Sequence, residues 1–353
     1  MKIIGCDFHP SYQQIAMLDQ ETGEVKEMRL VHAGGEAQRF YESLAGPVRV
    51  GLEAEGHTQW FERLLQKLGH EMWIGDAARI RAMAVRRQKT DARDAAHLLE
   101  LLLRGDFPRL WVPSWEERDL RQLLVHRVKL MRWQTQVKNQ LHALALNQGL
   151  QKKGKLWSAA GREQLRALEL APWAARRRQD LLRWLEQLEA ETQELQKQIA
   201  RAAAERPEVA RLRTHPGVGP ITGLAFVLTL GPWQRFRRAK QVASYCGLIP
   251  TERSSGGRQR LGHISKQGSP LLRWLLVEAA QSAVRHEPEM QRRYRRLAAR
   301  KSRALAKVAA ARQLATRLYW MLREEKDYAQ LFCRGTHAGQ PESSCGPKSG
   351  PAA

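Results

Sequence analysis

The chain is 353 residues long, 43% hydrophobic and 27% charged, with a formal net charge of +23. That length predicts two or three domains with cores of their own, and no apolar run approaches the ~20 residues a membrane span requires. Four cysteines (Cys6, Cys246, Cys333, Cys345) are scattered without a CxxC pair, which speaks against a zinc module or disulfide scaffold and for a reducing, cytoplasmic setting. The charge is segregated: residues 1–112 hold 15 Lys+Arg and 16 Asp+Glu, net −1, whereas the other 241 hold 44 and 20, net +24. A near-neutral domain joined to strongly basic ones predicts a polyanionic partner. Nucleic acid fits better than a membrane surface, because the basic part lacks an amphipathic anchor with a segregated apolar face.

The opening residues 2–7 read as a strand rather than a signal peptide, with Ile3, Gly5 and Asp7 on one face and Ile4 and Cys6 on the other. Residues 13–19 and 24–30 form the next two strands, joined at Glu21-Thr22-Gly23, so a three-stranded antiparallel meander is expected. A helix over 35–45, a strand over 48–53, a helix over 60–68 and a strand over 71–74 follow. Arg49, Gly51 and Glu53 share one face of their strand, and again an acid closes its C-terminal end. This order predicts a mixed α/β sheet in about 105 residues.

The first turn of the next helix carries Asp91 and Asp94, three residues apart and hence on one face. Taken alone, such a pair has a plain explanation, since helix N-termini favour acids and Asp91 or Thr90 can cap. Sites in open α/β sheets lie beyond the carboxyl ends of strands, where Asp7 and Glu53 sit. If the two strands are neighbours, Asp7, Glu53, Asp91 and Asp94 converge. Four oxygen donors without Cys or His among them select a hard cation, Mg²⁺ or Mn²⁺. Two such ions would polarise a phosphodiester and stabilise the attacking and leaving oxygens. Glu55 should already have turned away from the sheet, and Asp76 reads as a cap for the run from Ala77. His9 and His97 read as structural or solvent-facing.

Residues 116–148, 162–170 and 176–205 read as helices. Leu181, Leu185, Leu188, Thr192, Leu195 and Ile199 repeat in steps of four and three, which suits either a dimerising coiled-coil arm or an amphipathic helix packed on its own chain. Pro207 and Pro216 mark a boundary near 206. Gly217-Val218-Gly219 leads into a helix and exposes backbone N–H groups at its positive end; it suits either a phosphate-gripping helix–hairpin–helix or a plain connection. The stretch from Cys246 to Gly268 is rich in glycine, hydroxyls and cations, with Arg253, Arg258, Arg260 and Lys266 available to a phosphodiester backbone. Serine there needs activation from elsewhere, and only His263 is local. Helices over 270–278 and 288–326 follow, the second densely basic. Residues 336–353 lack core-forming side chains and are expected to be disordered.

Together these segments resemble one family across nearly the whole chain, the DEDD transposases of the insertion-sequence-110 family, relatives of Piv-type DNA invertases. "IIGCDFHP", "GLEAEG" and "KTDARDA" resemble its three acidic motifs in order, and "HPGVGPITG", "ASYCGLIPTERSSGG" and "ISKQGSPLLR" its C-terminal blocks. The resemblance implies metal binding by Asp7, Glu53, Asp91 and Asp94, and a nucleophilic Ser255 with Ser254 as the neighbouring alternative. Glu55 departs from the small or hydroxyl residue usual in the second motif. Also implied are a RuvC-like, ribonuclease H-like α/β domain over 1–112, a helical coiled-coil arm over 113–205 and a mainly α transposase domain over 206–335. The expected chemistry is Mg²⁺- or Mn²⁺-dependent strand cleavage through a serine–DNA phosphodiester, followed by strand exchange between donor and target DNA. The acids of one subunit would meet the serine of another in a homo-oligomer, dimer to tetramer. A structured guide (bridge) RNA from the element would carry sequence recognition by base pairing, in a bacterial-type cytoplasm at the nucleoid. A metal-dependent, junction-resolving endonuclease using the acids alone is the alternative.

Overall fold

The computed structural model describes residues 1–84, 90–151, 154–255 and 258–332, so Lys89, Gly256, Gly257 and the tail expected to be disordered lie outside the described residues. The chain divides into two compact units, Met1–Val112 and Pro113–Ala353.

In the first unit, strands β1 (Lys2–Phe8), β2 (Tyr12–Asp19) and β3 (Val25–Val31) form the expected antiparallel meander. Helix α1 (Glu36–Ser43) leads to β4 (Val48–Glu53), and α2 (Gln59–Lys67) to β5 (Glu71–Gly75), both parallel to β1 in a sheet of order β3-β2-β1-β4-β5. Helices α3 (Ala77–Met83) and α4 (Asp91–Arg104) complete the unit. Period-two alternation sorts the faces. Ile4, Cys6, Phe8, Val50 and Leu52 pack with Tyr41 of α1 and Phe61 and Leu65 of α2. Ile3 and Ala16 face the opposite way, against Ala95, Leu98, Leu99 and Leu102 of α4.

Two glycines set how closely α4 lies on the sheet. Gly5 and Gly51 are paired across the parallel β1–β4 ladder. A methyl group at Gly5 would run into the backbone of Ala95 and Leu99, and one at Gly51 into the Leu102 side chain. Without side chains there, the helix backbone rests directly on the strands, and its first turn is carried to the carboxyl end of β1.

The second unit begins with α5 (Trp115–Asn147), opened by a capping box between Ser114 and Glu117, and continues through α6 (Ala159–Arg166) and α7 (Pro172–Ala204). Ser158 caps α6 through the Gly161 N–H, starting it earlier than the apolar pattern indicates. α5 and α7 pack antiparallel, so much of the leucine seam of α7 is covered by its own chain. Leu181, Leu182 and Leu185 share a core with Val137 and Leu141. At the polar break, Gln134 Nε2 of α5 donates to Thr192 Oγ1 at 2.7 Å and to the Leu188 carbonyl at 2.8 Å.

Ile199, Ala203 and Leu124, at the base of this hairpin, join the core of the remaining helices. These are α8 (Pro207–Arg213), α9 (Pro220–Leu230), α10 (Ala239–Tyr245), α11 (Pro270–His286), α12 (Pro288–Arg300), α13 (Arg303–Arg323) and α14 (Tyr328–Phe332), with a small antiparallel hairpin of β6 (Pro250–Glu252) and β7 (Leu261–Ile264) between α10 and α11. The helix expected over 270–278 runs on to His286, and ends where Pro288 forces Glu287 out of the helical region. The single helix expected over 288–326 is two, because Ser302 leaves the helical conformation and caps α13 through the Leu305 N–H. Among the described residues, no helix is long and apolar enough to cross a membrane.

Candidate active site

Asp7 ends the α4-facing row of β1, and Glu53 ends the corresponding row of β4; the β1–β4 ladder brings Cys6 beside Leu52, one residue before each acid. Thr90 caps α4 by accepting from the Arg93 N–H, which fixes Asp91 and Asp94 in its first turn. His9, two residues past Asp7, lies between the acids: its Nε2 is 3.2 Å from Asp7 Oδ2 and 3.6 Å from Asp91 Oδ2. Tyr12 donates its hydroxyl to the same Asp91 oxygen at 2.7 Å. The Tyr12 ring is held in turn by the Arg29 guanidinium 3.8 Å from its centroid and by the His9 ring at 4.7 Å.

One atom each from Asp7, His9 and Asp91 lie within 4.8 Å of one another. Glu53 and Asp94 stand outside that triad. Glu53 Oε1 is 3.7 Å from Arg81 of α3, while Asp94 is near enough to Asp7 to repel its charge. Burial pushes the Asp7 carboxyl above its usual range; Asp94 and Asp91 push the same way, and His9 opposes them. Glu55, expected to turn away, stays in electrostatic reach. β4 pairs with β5 one residue beyond Glu53, the Ala54 N–H donating to the Gly75 carbonyl at 3.0 Å. Burial raises the Glu55 carboxyl, helped by Asp7 and Glu53 and opposed by His9 and His57. Asp76 caps α3 as expected, accepting from Ala78 and Arg79.

In the second unit, the β6–β7 hairpin separates the two serines. Ser254 Oγ donates to Glu252 Oε1 at 2.6 Å and accepts from the Arg260 N–H at 3.2 Å, so both its roles are filled. Ser255 sits at the exposed tip, bridged through its backbone to Arg258 (3.1 Å), and its hydroxyl makes no hydrogen bond among the described residues. Arg273 fastens the base of the hairpin by donating to the carbonyls of Gln267 (2.7 Å) and Cys246 (3.2 Å).

A family model for DEDD transposases of the IS110 type matches residues 4–148, and one for the transposases of the IS116/IS110/IS902 family matches residues 209–295. A Pseudomonas aeruginosa protein described as a "probable family 20 transposase" is 31% identical over 80% of this chain and 84% of its own length. The chain belongs to the IS116/IS110/IS902 transposase family. It is also similar to the transposase for insertion sequence element IS1111A of Coxiella burnetii (26% identical, 81% of this chain and 79% of the relative). The transposase for insertion sequence element IS1328 of Yersinia enterocolitica is 28% identical over 66% of this chain and 70% of its own length. As an insertion-sequence transposase the protein is an enzyme with DNA as substrate, and its DEDD class implies a divalent metal.

Of the residues expected to touch the transposase's nucleic acid, Arg253, Arg258, Arg260 and Lys266 are exposed on or beside the serine hairpin. Lys266 holds a left-handed backbone (φ 55°) where its N–H reaches the Gly247 carbonyl at 3.3 Å. Gly219 is open around its Cα and precedes α9. Gly217 has φ +84° and rests on the backbone of Ala279 and Ala283 in α11, a close approach that accounts for the glycine by packing.

Proposed function

We propose that this transposase cuts DNA with Ser255 as nucleophile, assisted by a divalent metal at the acidic centre, and then exchanges strands between donor and target. The observation that carries the reading is the contrast within the hairpin: Ser254 is bound on both sides, while the neighbouring hydroxyl is exposed and makes no hydrogen bond among the described residues. Attack by Ser255 Oγ forms an Oγ–P bond and breaks the P–O bond to the leaving sugar oxygen. The serine proton passes to a carboxylate of the centre, and the leaving oxygen takes a proton from water. The bond energy retained in the phosphoserine ester then serves rejoining, when a new sugar hydroxyl displaces Ser255.

The donor chemistry fits the cation. Asp7 and Asp91 approach one another at the strand end, and the family resemblance adds Glu53 and Asp94, outside that cluster, to make a four-acid set that would suit a hard divalent ion. When bound, the ion acts as a Lewis acid on the phosphodiester. The sheet order, with acids closing two adjacent parallel strands and a helix crossing the same face, supports a RuvC-like ribonuclease H fold. Following the family resemblance, the reading has acids from one subunit serve the serine of another in a dimer or tetramer. The +24 surplus over 113–353, with its cations on exposed loops, suits backbone-directed binding, and a structured guide RNA would supply sequence recognition by base pairing.

The test compares Ser255→Ala with Ser254→Ala on a suicide DNA substrate, trapping covalent protein–DNA adduct on denaturing gels. Loss of adduct and recombination in the first variant, with adduct retained in the second, is expected. Continued strand cleavage by Ser255→Ala would instead establish an endonuclease that works through its acids and water alone.

A further inference from the structure

We infer that His9 is a ligand of the metal centre, so that the site is a mixed nitrogen–oxygen one that favours Mn²⁺ over Mg²⁺; the inference rests on the acidic-centre reading above. The arrangement of the imidazole carries it. Nε2 of His9 is the ring atom directed at both carboxylates, 3.2 Å from Asp7 Oδ2 and 3.6 Å from Asp91 Oδ2. These are the separations of donor atoms that an ion could bridge, and the three form the one such group of His, Cys, Asp or Glu side chains found among the described residues.

The ring is also held in place. The His9 backbone N–H donates to the Tyr12 carbonyl at 2.9 Å, closing the turn between β1 and β2. The imidazole lies 4.7 Å from the Tyr12 ring, tilted by 36°, and the opposing Arg29 guanidinium keeps that tyrosine fixed. Tyr12 occupies Asp91 Oδ2 with its own hydroxyl, which orients the carboxylate beside the imidazole. A histidine that merely neutralised two acids in an exposed turn would need neither the aromatic shelf nor the tyrosine hydroxyl. Glu53 and Asp94, by contrast, lie outside the triad, so His9 stands nearer to Asp7 and Asp91 as a group than two of the four family acids do.

Imidazole is a softer donor than carboxylate or water. It binds first-row transition ions better than Mg²⁺, so of the two hard ions that the acids suit, Mn²⁺ is the one an added imidazole favours. Replacing His9 should therefore lower Mn²⁺ affinity much more than Mg²⁺ affinity.

The experiment uses full-length protein and the metal alone. Mn²⁺ is titrated and followed by loss of the free-ion electron paramagnetic resonance signal, and Mg²⁺ is measured by competition. Electron spin echo modulation of bound Mn²⁺ then looks for a coordinated nitrogen, with ¹⁵N-histidine labelling to assign it. Wild type should show the nitrogen coupling. His9→Asn should lose it and bind Mn²⁺ about 10- to 100-fold more weakly, with Mg²⁺ affinity changed less than about threefold. Asp7→Asn serves as the control for the centre itself. If Mn²⁺ binds in an Asp7-dependent way but without nitrogen coupling, and His9→Asn binds as wild type does, the His9 assignment is wrong and the acidic centre stands. If wild type shows no Asp7-dependent binding at all, both readings fall.

Discussion

Acid should weaken the second unit through one histidine. His215 is 1% exposed, between α8 and α9, with its ring edge-on to Tyr328 at 4.6 Å. Its Nδ1 is 2.8 Å from the Pro216 carbonyl, an arrangement that makes Nδ1–H the donor and leaves Nε2 as the basic nitrogen. Nε2 is buried and has no hydrogen-bond partner among the described residues. Burial, with Arg317 acting in the same sense, lowers the ring from its ordinary 6.5 to about 4, against the opposing pull of the Pro216 carbonyl and Glu287. Between those values the unfolded chain holds a proton that the folded chain does not. Stability is therefore fully present above about pH 6.5 and is lost as pH falls towards 4. The loss amounts to about 2 kcal/mol at pH 5 and approaches about 3 kcal/mol below pH 4. Urea unfolding at pH 7 and pH 5, followed by far-ultraviolet circular dichroism, checks this against His215→Phe, which fills the slot without titrating. The wild type should lose about 2 kcal/mol more than the variant between the two pH values. Equal losses would show that the ring is not kept neutral by burial, and the reasoning would fail.

Gly5→Ala should destabilise the first unit by at least about 2 kcal/mol, because the added methyl meets helix backbone that cannot swing aside; urea midpoints measure it. The same substitution should impair metal binding, since α4 carries Asp91 and Asp94. Tyr12→Phe removes the hydroxyl that orients Asp91 and keeps the ring under Arg29. It should weaken Mn²⁺ binding about 10-fold in the same titration while leaving the thermal midpoint within about 2 °C of wild type.

The first unit was legible because its strands alternate cleanly. Ile3, Gly5 and Asp7 against Ile4 and Cys6, and Arg49, Gly51 and Glu53 against Val50 and Leu52, assign faces without any knowledge of neighbours. The role of Gly5 and Gly51 could not be read the same way, since what fills the space above them comes from Ala95, Leu99 and Leu102, far along the chain. In the second unit helix periodicity located the elements but not their ends. Ser302 carries a cap signal that a continuous run of arginines and alanines on either side obscures, and Glu287 breaks α11 only because a proline follows.

The candidate site divides along the same line. Its acids announce themselves at strand and helix ends, whereas the groups that place them do not. His9 has a faint signal, two residues beyond Asp7, where an extended chain returns to the same face; a lone histidine after a strand is common enough that this decides nothing. Tyr12 has none, because its hydrogen bond to Asp91 spans 79 residues. The serines show the converse case. Composition and periodicity do not rank Ser255 above Ser254, and only the family resemblance prefers it; in the fold, Glu252, two residues before Ser254, lies 2.6 Å from the Ser254 hydroxyl. Under the proposed function, the carboxylate holds the Ser254 hydroxyl and leaves that of Ser255 for the chemistry. The Glu252 contact is local to one arm of the hairpin, whereas the Arg260 N–H reaches Ser254 from the other arm and could not be read before the arms were paired.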